Sequence, residues 1–303
     1  MTVEAIQAST PIGLPVGTAL SPSRASDFLT CPLLFRFRAI DRIPERPSSA
    51  AVRGTLLHAV LEDLFDLPAA ERTIEAAKEL LLPTWERMLV DNPDAAFALD
   101  PDAAFPPDPQ APREALSPAV VMEWISTAEP LLATYFDLED PTRLEPQARE
   151  LRVEIQLDDG PPLRGIIDRV DVAPGDLVRV VDYKSGRSPG VGFEQKALFQ
   201  MRFYALMLWR IDGNIPTRLQ LIYLGDSQVL KYDPTEAELI ALRRRCAHCG
   251  APSPASRPKV IGRQSHQSCA TGVTITIGAP PRVELRPICL STSQPGRPSS
   301  LSK

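Results

Sequence analysis

LRGIIDRVDVAPGDLVRVVDYKSG, residues Leu163 to Gly186, decides how the rest of the chain is read. It opens with an apolar run that ends in Asp168. It turns at Pro174-Gly175-Asp176 and closes with a second run that ends in Asp182-Tyr183-Lys184. Leu163 to Val172 and Leu177 to Tyr183 read as strands, and Pro-Gly-Asp is a turn signal between them. Side chains alternate along a strand, so Asp182 and Lys184 project to one side and Tyr183 to the other. The hairpin therefore brings Asp168 towards an acid and a lysine that share a face.

Working outward, Glu150 to Leu157 alternates polar and apolar residues and predicts a half-buried strand ahead of the hairpin. Phe193 to Ile211 predicts a long helix after it. Leu219 to Leu224 and Gln228 to Tyr232 predict a second hairpin around Gly225-Asp226, and Thr235 caps a last helix to about Arg245. The N-terminal half is helical. Ser21 is a cap with Pro22 in the first turn, and Arg53 to Phe65 carries an apolar stripe with His58 and Glu62 one turn apart. Further helices are expected over Thr73 to Asp91 and Pro118 to Tyr135, with a Pro- and Asp-rich loop from Asn92 to Pro112. This order predicts an α/β (α+β) fold: one central mixed sheet flanked by helices, with an N-terminal helical part.

Length and composition bound the function. A chain of 303 residues is one large domain or two small ones. It holds no run of 18 apolar residues and no basic n-region followed by an apolar h-region. Its five cysteines are an odd set, which argues against a disulfide scaffold. Together these predict a cytoplasmic protein without a transmembrane helix. The net charge of -5 argues against a general nucleic-acid coat. The charge is uneven, however. From Arg243 onward there are ten Lys/Arg and only Glu284, a balance of +9, so the first 242 residues carry -14. Between Ser21 and Arg53, six arginines face three acids.

Phosphodiester hydrolysis needs an in-line water, charge neutralisation at phosphorus and a stabilised leaving oxygen. Carboxylates holding Mg²⁺ or Mn²⁺ supply part of this, and a lysine beside them positions or deprotonates the water. Asp168, Asp182 and Lys184 are those parts. Taken singly, an Asp-x-Lys on a strand is most often an ion pair, and a lone helical histidine is most often structural. What raises the odds is their conjunction: G-x-x-x-H at Gly54 to His58, G-x-I-D at Gly165 to Asp168, D-Y-K at Asp182 to Lys184, and Q-x-x-x-Y at Gln200 to Tyr204.

On these motifs, residues 20 to 245 resemble the RecB-type nucleases of the PD-(D/E)xK superfamily. The similarity is to that family's single-domain exonucleases and to the CRISPR-adaptation exonucleases. The resemblance implies a restriction-endonuclease-like core acting on DNA ends or single strands in repair or recombination. It implies that His58, Asp168, Asp182 and the Tyr183 backbone carbonyl bind the metal, and that Lys184 is the catalytic lysine. Gln200 and Tyr204 would line the DNA path. Arg53 is a candidate DNA contact, with Arg24, Arg36 and Arg38 as further phosphate contacts. Glu62 either supports the site or lies on plain surface. The domain plan is a leader at 1–19, a nuclease domain at 20–245 with a helical insertion at about 66–145, and a basic tail at 246–303. The chain has no Walker A motif, so any helicase would be a partner.

Many members of that family hold a [4Fe-4S] cluster with one N-terminal cysteine and a C-terminal C-x-x-C-x(5)-C-P. Cys31, in L-T-C-P-L-L-F, fits the first place. Cys246 and Cys249 have the right pair spacing, but Cys269 and Cys289 lie too far along, so the other three ligands are absent. Read two nucleotides further on with GC-rich codons, the tail around Ser268 to Pro280 can encode L-C-D-W-C-H-H-H-H-R-C-P. The expectation is a frameshift near Arg243, with loss of the cluster that would tie the C-terminal segment to the N-terminal helix. The competing readings are an inactive DNA-binding remnant and a structural domain whose acids and lysine form only ion pairs.

Overall fold

The computed structural model describes residues 19–100, 102–106, 116–190 and 194–250. Five strands form one sheet in the order β1-β2-β3-β4-β5: β1 Ala148–Gln156, β2 Pro162–Ala173, β3 Leu177–Lys184, β4 Arg218–Tyr223 and β5 Gln228–Tyr232. The first three are an antiparallel meander. The β2–β3 turn is made where Gly175 and Asp176 take φ of 85° and 57°, a left-handed region that Gly and Asp tolerate best. β3 and β4 are parallel and joined through helix α7, Glu194–Asp212; β4 and β5 are an antiparallel hairpin.

The other helices are α1 Pro22–Thr30, α2 Pro32–Phe35, α3 Ser49–Leu64, α4 Ile74–Asp91, α5 Pro118–Ser126, α6 Glu129–Leu138 and α8 Glu236–Gly250. Ser21 caps α1 through Arg24 N–H, Ser48 caps α3 and Thr73 caps α4. The single helix expected over Pro118 to Tyr135 is two. Thr127 and Ala128 N–H close tight bonds to the Trp124 and Ile125 carbonyls, and Pro130 offers no N–H to carry the α pattern across. The last helix runs past the expected Arg245 end because Leu239, Leu242 and Cys246 form one buried stripe. Residues 1–18 of the leader, the tail beyond Gly250 and the expected helix start at Phe193 lie outside the described residues.

Both faces of the central strands are covered, so β3 and β4 read as near-continuous apolar runs. On one face Leu163, Ile167, Val180, Leu219 and Leu221 pack against α7, together with residues of α1 and α8. On the other, Val181, Tyr183, Ile222 and Leu224 pack under Leu57, Val60, Leu61 and Leu64 of α3, with α4 and α6 behind. A charged group crosses this second layer. Arg169, only 1% exposed, donates to Glu139 at 2.8 and 2.9 Å and to the Tyr183 hydroxyl at 2.5 Å, and ion-pairs with Asp171 at 3.1 Å. Among the described residues, no helix is long and apolar enough to cross a membrane.

Candidate active site

β2 and β3 pair only from Arg169↔Val181 to Ala173↔Leu177. Towards Leu163 the two strands part, and the split leaves Asp168, Asp182 and Lys184 facing each other near its vertex. Leu20 takes up part of the vacated edge, its N–H on the Pro162 carbonyl and its own carbonyl accepting from Arg164 N–H. Asp168 Oδ2 accepts from Tyr183 N–H at 2.8 Å, which ties the first acid to the strand carrying the second. Lys184 Nζ lies 2.5 Å from Asp182 Oδ2.

Helix α3 brings His58 over this vertex. Its Nε2 is 2.9 Å from the Tyr183 carbonyl oxygen, and its Nδ1 is 3.4 Å from Asp168 Oδ2. Helix α7 closes the other side. Gln200 accepts from Lys184 Nζ at 3.1 Å and donates to Asp182 Oδ1 at 2.8 Å and to the Tyr204 hydroxyl at 3.0 Å. The i, i+4 spacing of Gln200 and Tyr204 makes this possible. Gly165 makes it fit: a Cβ there would lie 2.7 Å from Tyr204 Cε1. The structure thus brings together His58, Asp168, Asp182, the Tyr183 carbonyl, Lys184, Gln200 and Tyr204.

Other expected residues stand apart from this group. Arg53, on α3, donates to Thr127 Oγ1 at 3.3 Å. Glu62 makes no hydrogen bond to His58 among the described residues. Its carboxyl is pushed up by burial and by Asp63. Cys31 sits half-buried between α1 and α2. The Cys249 side chain, Cys269 and Cys289 lie outside the described residues.

One residue was not among those expected. Glu150 of β1 stands opposite Asp168, where the pairing passes from Arg149↔Arg169 to Leu151↔Ile167. Its φ of 41° is rare for a glutamate, and such strain collects at functional sites. Its Oε1 is 3.9 Å from His58 Nδ1, and potential ligand atoms of His58, Glu150 and Asp168 all lie within 4.8 Å of one another.

The electrostatics reflect three acids, one imidazole and one ammonium crowded together. Burial pushes Asp182 up, and Asp168 adds to it, to about 6 against the pull of Lys184. Burial and the Asp168 charge likewise raise Glu150 to about 7. Burial alone would lower His58, but Asp168, Asp182 and Glu150 outweigh it and hold the imidazole at about 9. Asp168 stays below its ordinary value: burial opposes its charge, but His58, Lys184 and the Tyr183 N–H favour it. Burial would also lower Lys184, yet Asp182 and Asp168 hold it above its ordinary value.

The carboxylates and the carbonyl suit a hard divalent cation such as Mg²⁺ or Mn²⁺, and the imidazole adds a softer nitrogen donor. Asp182 Oδ2 is buried with the Lys184 ammonium 2.5 Å away, and three acids crowd one ammonium and one imidazole.

A family model of the PD-(D/E)XK nuclease superfamily matches residues 19–270. Gene 69 protein of Mycobacterium phage D29 is 30% identical over 192 residues, which span 61% of this chain and 68% of the phage protein. Among solved structures, one described as a "Putative exonuclease" from Eubacterium rectale superposes with a TM-score of 0.46 at 12% identity, over 77% of this chain and 82% of that one. With most of its length matched, this chain belongs to the PD-(D/E)XK nuclease superfamily.

Proposed function

We propose that the protein is a metal-dependent deoxyribonuclease of the RecB-like exonuclease type, hydrolysing phosphodiester bonds of DNA ends or single strands in repair or recombination. The observation that carries this reading is the closed chain of contacts from His58 through the Tyr183 carbonyl, Asp168 and Asp182 to Lys184 and Gln200. His58, Asp168, Asp182 and the Tyr183 carbonyl are the residues to hold Mg²⁺ or Mn²⁺, with Glu150 as an additional acid. A cation bound there supplies positive charge against the scissile phosphate.

The chain's own groups do the rest. In the metal-free protein Asp182 and Asp168 hold Lys184 above its ordinary value against burial, and the lysine places an ammonium beside the reacting phosphate. Gln200 holds the ammonium by its carbonyl and Asp182 by its amide, and so fixes the distance between them. Tyr204 accepts a bond from Gln200, which leaves its own hydroxyl proton to donate to a phosphate oxygen. Arg53, at the N-terminal part of α3, is a further phosphate contact.

A second reading is favoured by the cysteine pattern. Cys31 has the place of a [4Fe-4S] ligand, but the C-terminal trio is missing in this frame. We take this to reflect a frameshift near Arg243, supported by the charge break there. Cys246 and Ala247 still pack on the core, so the cost would fall on the metal staple and not on α8. The product is then a destabilised or inactive DNA-binding remnant. We place its working context in the cytoplasm, with a helicase as a candidate partner.

An end-labelled oligonucleotide time course with Mg²⁺ or Mn²⁺ tests the first reading. Stepwise shortening from an end supports it; intact DNA that becomes cleavable once the frame is restored supports the second. The genomic sequence around codon 243 tests the frameshift directly: if no one- or two-base change restores the cysteine pattern, that idea fails.

A further inference from the structure

We propose that Arg24, Arg42 and Arg164 form a phosphate-binding track that holds the backbone of the nucleic-acid strand beside the active site. The inference rests on the reading of the chain as a nuclease and adds the path by which its substrate lies.

The arginines between Ser21 and Arg53 look alike in sequence, but their surroundings separate them. Arg36 is paired with Asp41 at 3.1 Å. Arg38 bridges Asp27 and Glu45, both at 3.1 Å. The acids of this stretch are therefore occupied. Among the described residues, the Arg24 guanidinium hydrogen-bonds only a carbonyl, that of Ala19 at 3.2 Å. Among the described residues, Arg42 and Arg164 pair with no carboxylate, and both are exposed. Glu154 stands across from Arg164 in the β1–β2 ladder but forms no ion pair with it.

These cations also lie close together. Leu20 bridges to Leu163, next to Arg164, and Arg24 is one turn into the helix that follows. The Arg24 guanidinium is held below its ordinary value, first by burial and then by the charges of Arg164 and Arg42. Three like charges gathered without a carboxylate partner among the described residues make a positive surface that attracts an anion.

Their position gives the anion a direction. Arg164 and Ile166 face the side of β2 away from Leu163 and Ile167, and Asp168 follows two residues on, where His58 of α3 meets it. Arg164 is four residues from Asp168, about 13 Å along the strand. The track thus begins in the split between β2 and β3 and leads to the acids at its vertex. Ile166, 39% exposed, lies between them as an apolar surface on which a base can rest.

The test is fluorescence anisotropy with a labelled single-stranded oligothymidylate, without divalent metal, over a range of salt. Removing two phosphate contacts in Arg42→Gln/Arg164→Gln should weaken binding on the order of tenfold and reduce the salt slope by about 1.4, at about 0.7 per contact for single strands. Arg164→Gln alone, on the exposed face, should show about half that change and guards against misfolding of the double variant. Lys231→Gln, on the far edge strand β5, removes a charge outside the track and should leave the slope as it was. An unchanged slope in the Arg variants, or an equal fall in Lys231→Gln, overturns the proposal. Binding with the expected slopes but no cleavage under Mg²⁺ or Mn²⁺ would sink the nuclease reading and leave the track standing. Cleavage with unchanged slopes would do the reverse.

Discussion

Arg169 is the side chain whose removal the fold should tolerate least. It lies between the sheet and the α3 layer, 1% exposed, with its guanidinium shared by Glu139, Asp171 and the Tyr183 hydroxyl. In Arg169→Met the chain keeps its apolar stem, but of the three donors Glu139 has among the described residues it loses two and retains Gln220 at 3.3 Å. Asp171 keeps Arg179 at 2.7 Å, so its loss is partial. The dominant cost is therefore one buried carboxylate without its partner. Breaking such a pair costs about 3–5 kcal/mol, a large share of the roughly 5–15 kcal/mol that holds a domain together. Urea unfolding should show a lower midpoint with an unchanged m-value. Glu139→Gln in the same background removes the stranded charge and should recover at least about 1 kcal/mol. If Arg169→Met costs less than about 1 kcal/mol, as an exposed pair would, the network is not buried in the way described and the reasoning fails.

Further outcomes follow from the site. Gly165→Ala should cost about 1–3 kcal/mol by overpacking. By pushing Tyr204 it should also lower cleavage; wild-type turnover would show that the ring has room to move. Glu150→Gln should weaken Mn²⁺ binding by at least about tenfold in calorimetric titration, whereas unchanged affinity removes Glu150 from the ligand set. In the metal-free protein, Glu150 at about 7, Asp182 at about 6 and His58 at about 9 all bind protons more tightly than in the unfolded chain. Their contribution is full below the unfolded values and is lost as pH rises through the folded ones. Metal-free stability should therefore fall between about pH 4.5 and 9, and Mn²⁺ affinity should rise over the upper part of that window as ligand protons leave. A metal-free melting temperature that climbs through it would contradict the assignment.

Much of this was legible in the sequence because period and turn chemistry are local. The alternation from Leu177 to Lys184 sets Asp182 and Lys184 on one face, and the spacing of Gln200 and Tyr204 aligns them on one turn of helix. Glu150 was not legible. At the start of an alternating strand a glutamate reads as a solvent-facing residue, and only the left-handed φ and the approach of α3 turn it towards His58. Arg169 was hidden for a similar reason. Between Asp168 and Asp171 it looks like surface charge, and it is buried only because α3 and α6 cover that face. The break between α5 and α6 was missed because the apolar stripe continues across it, while Pro130 decides the hydrogen bonds. Pairing among the N-terminal arginines depends on chain reversals that no period announces.

The most direct test of the central claim is DNA cleavage by Lys184→Ala with Mn²⁺ affinity measured on the same samples. The account predicts turnover reduced on the order of 10²–10³-fold with Mn²⁺ affinity that does not fall, since Lys184 acts on the reacting phosphate and is no ligand. Undiminished cleavage by Lys184→Ala would contradict it.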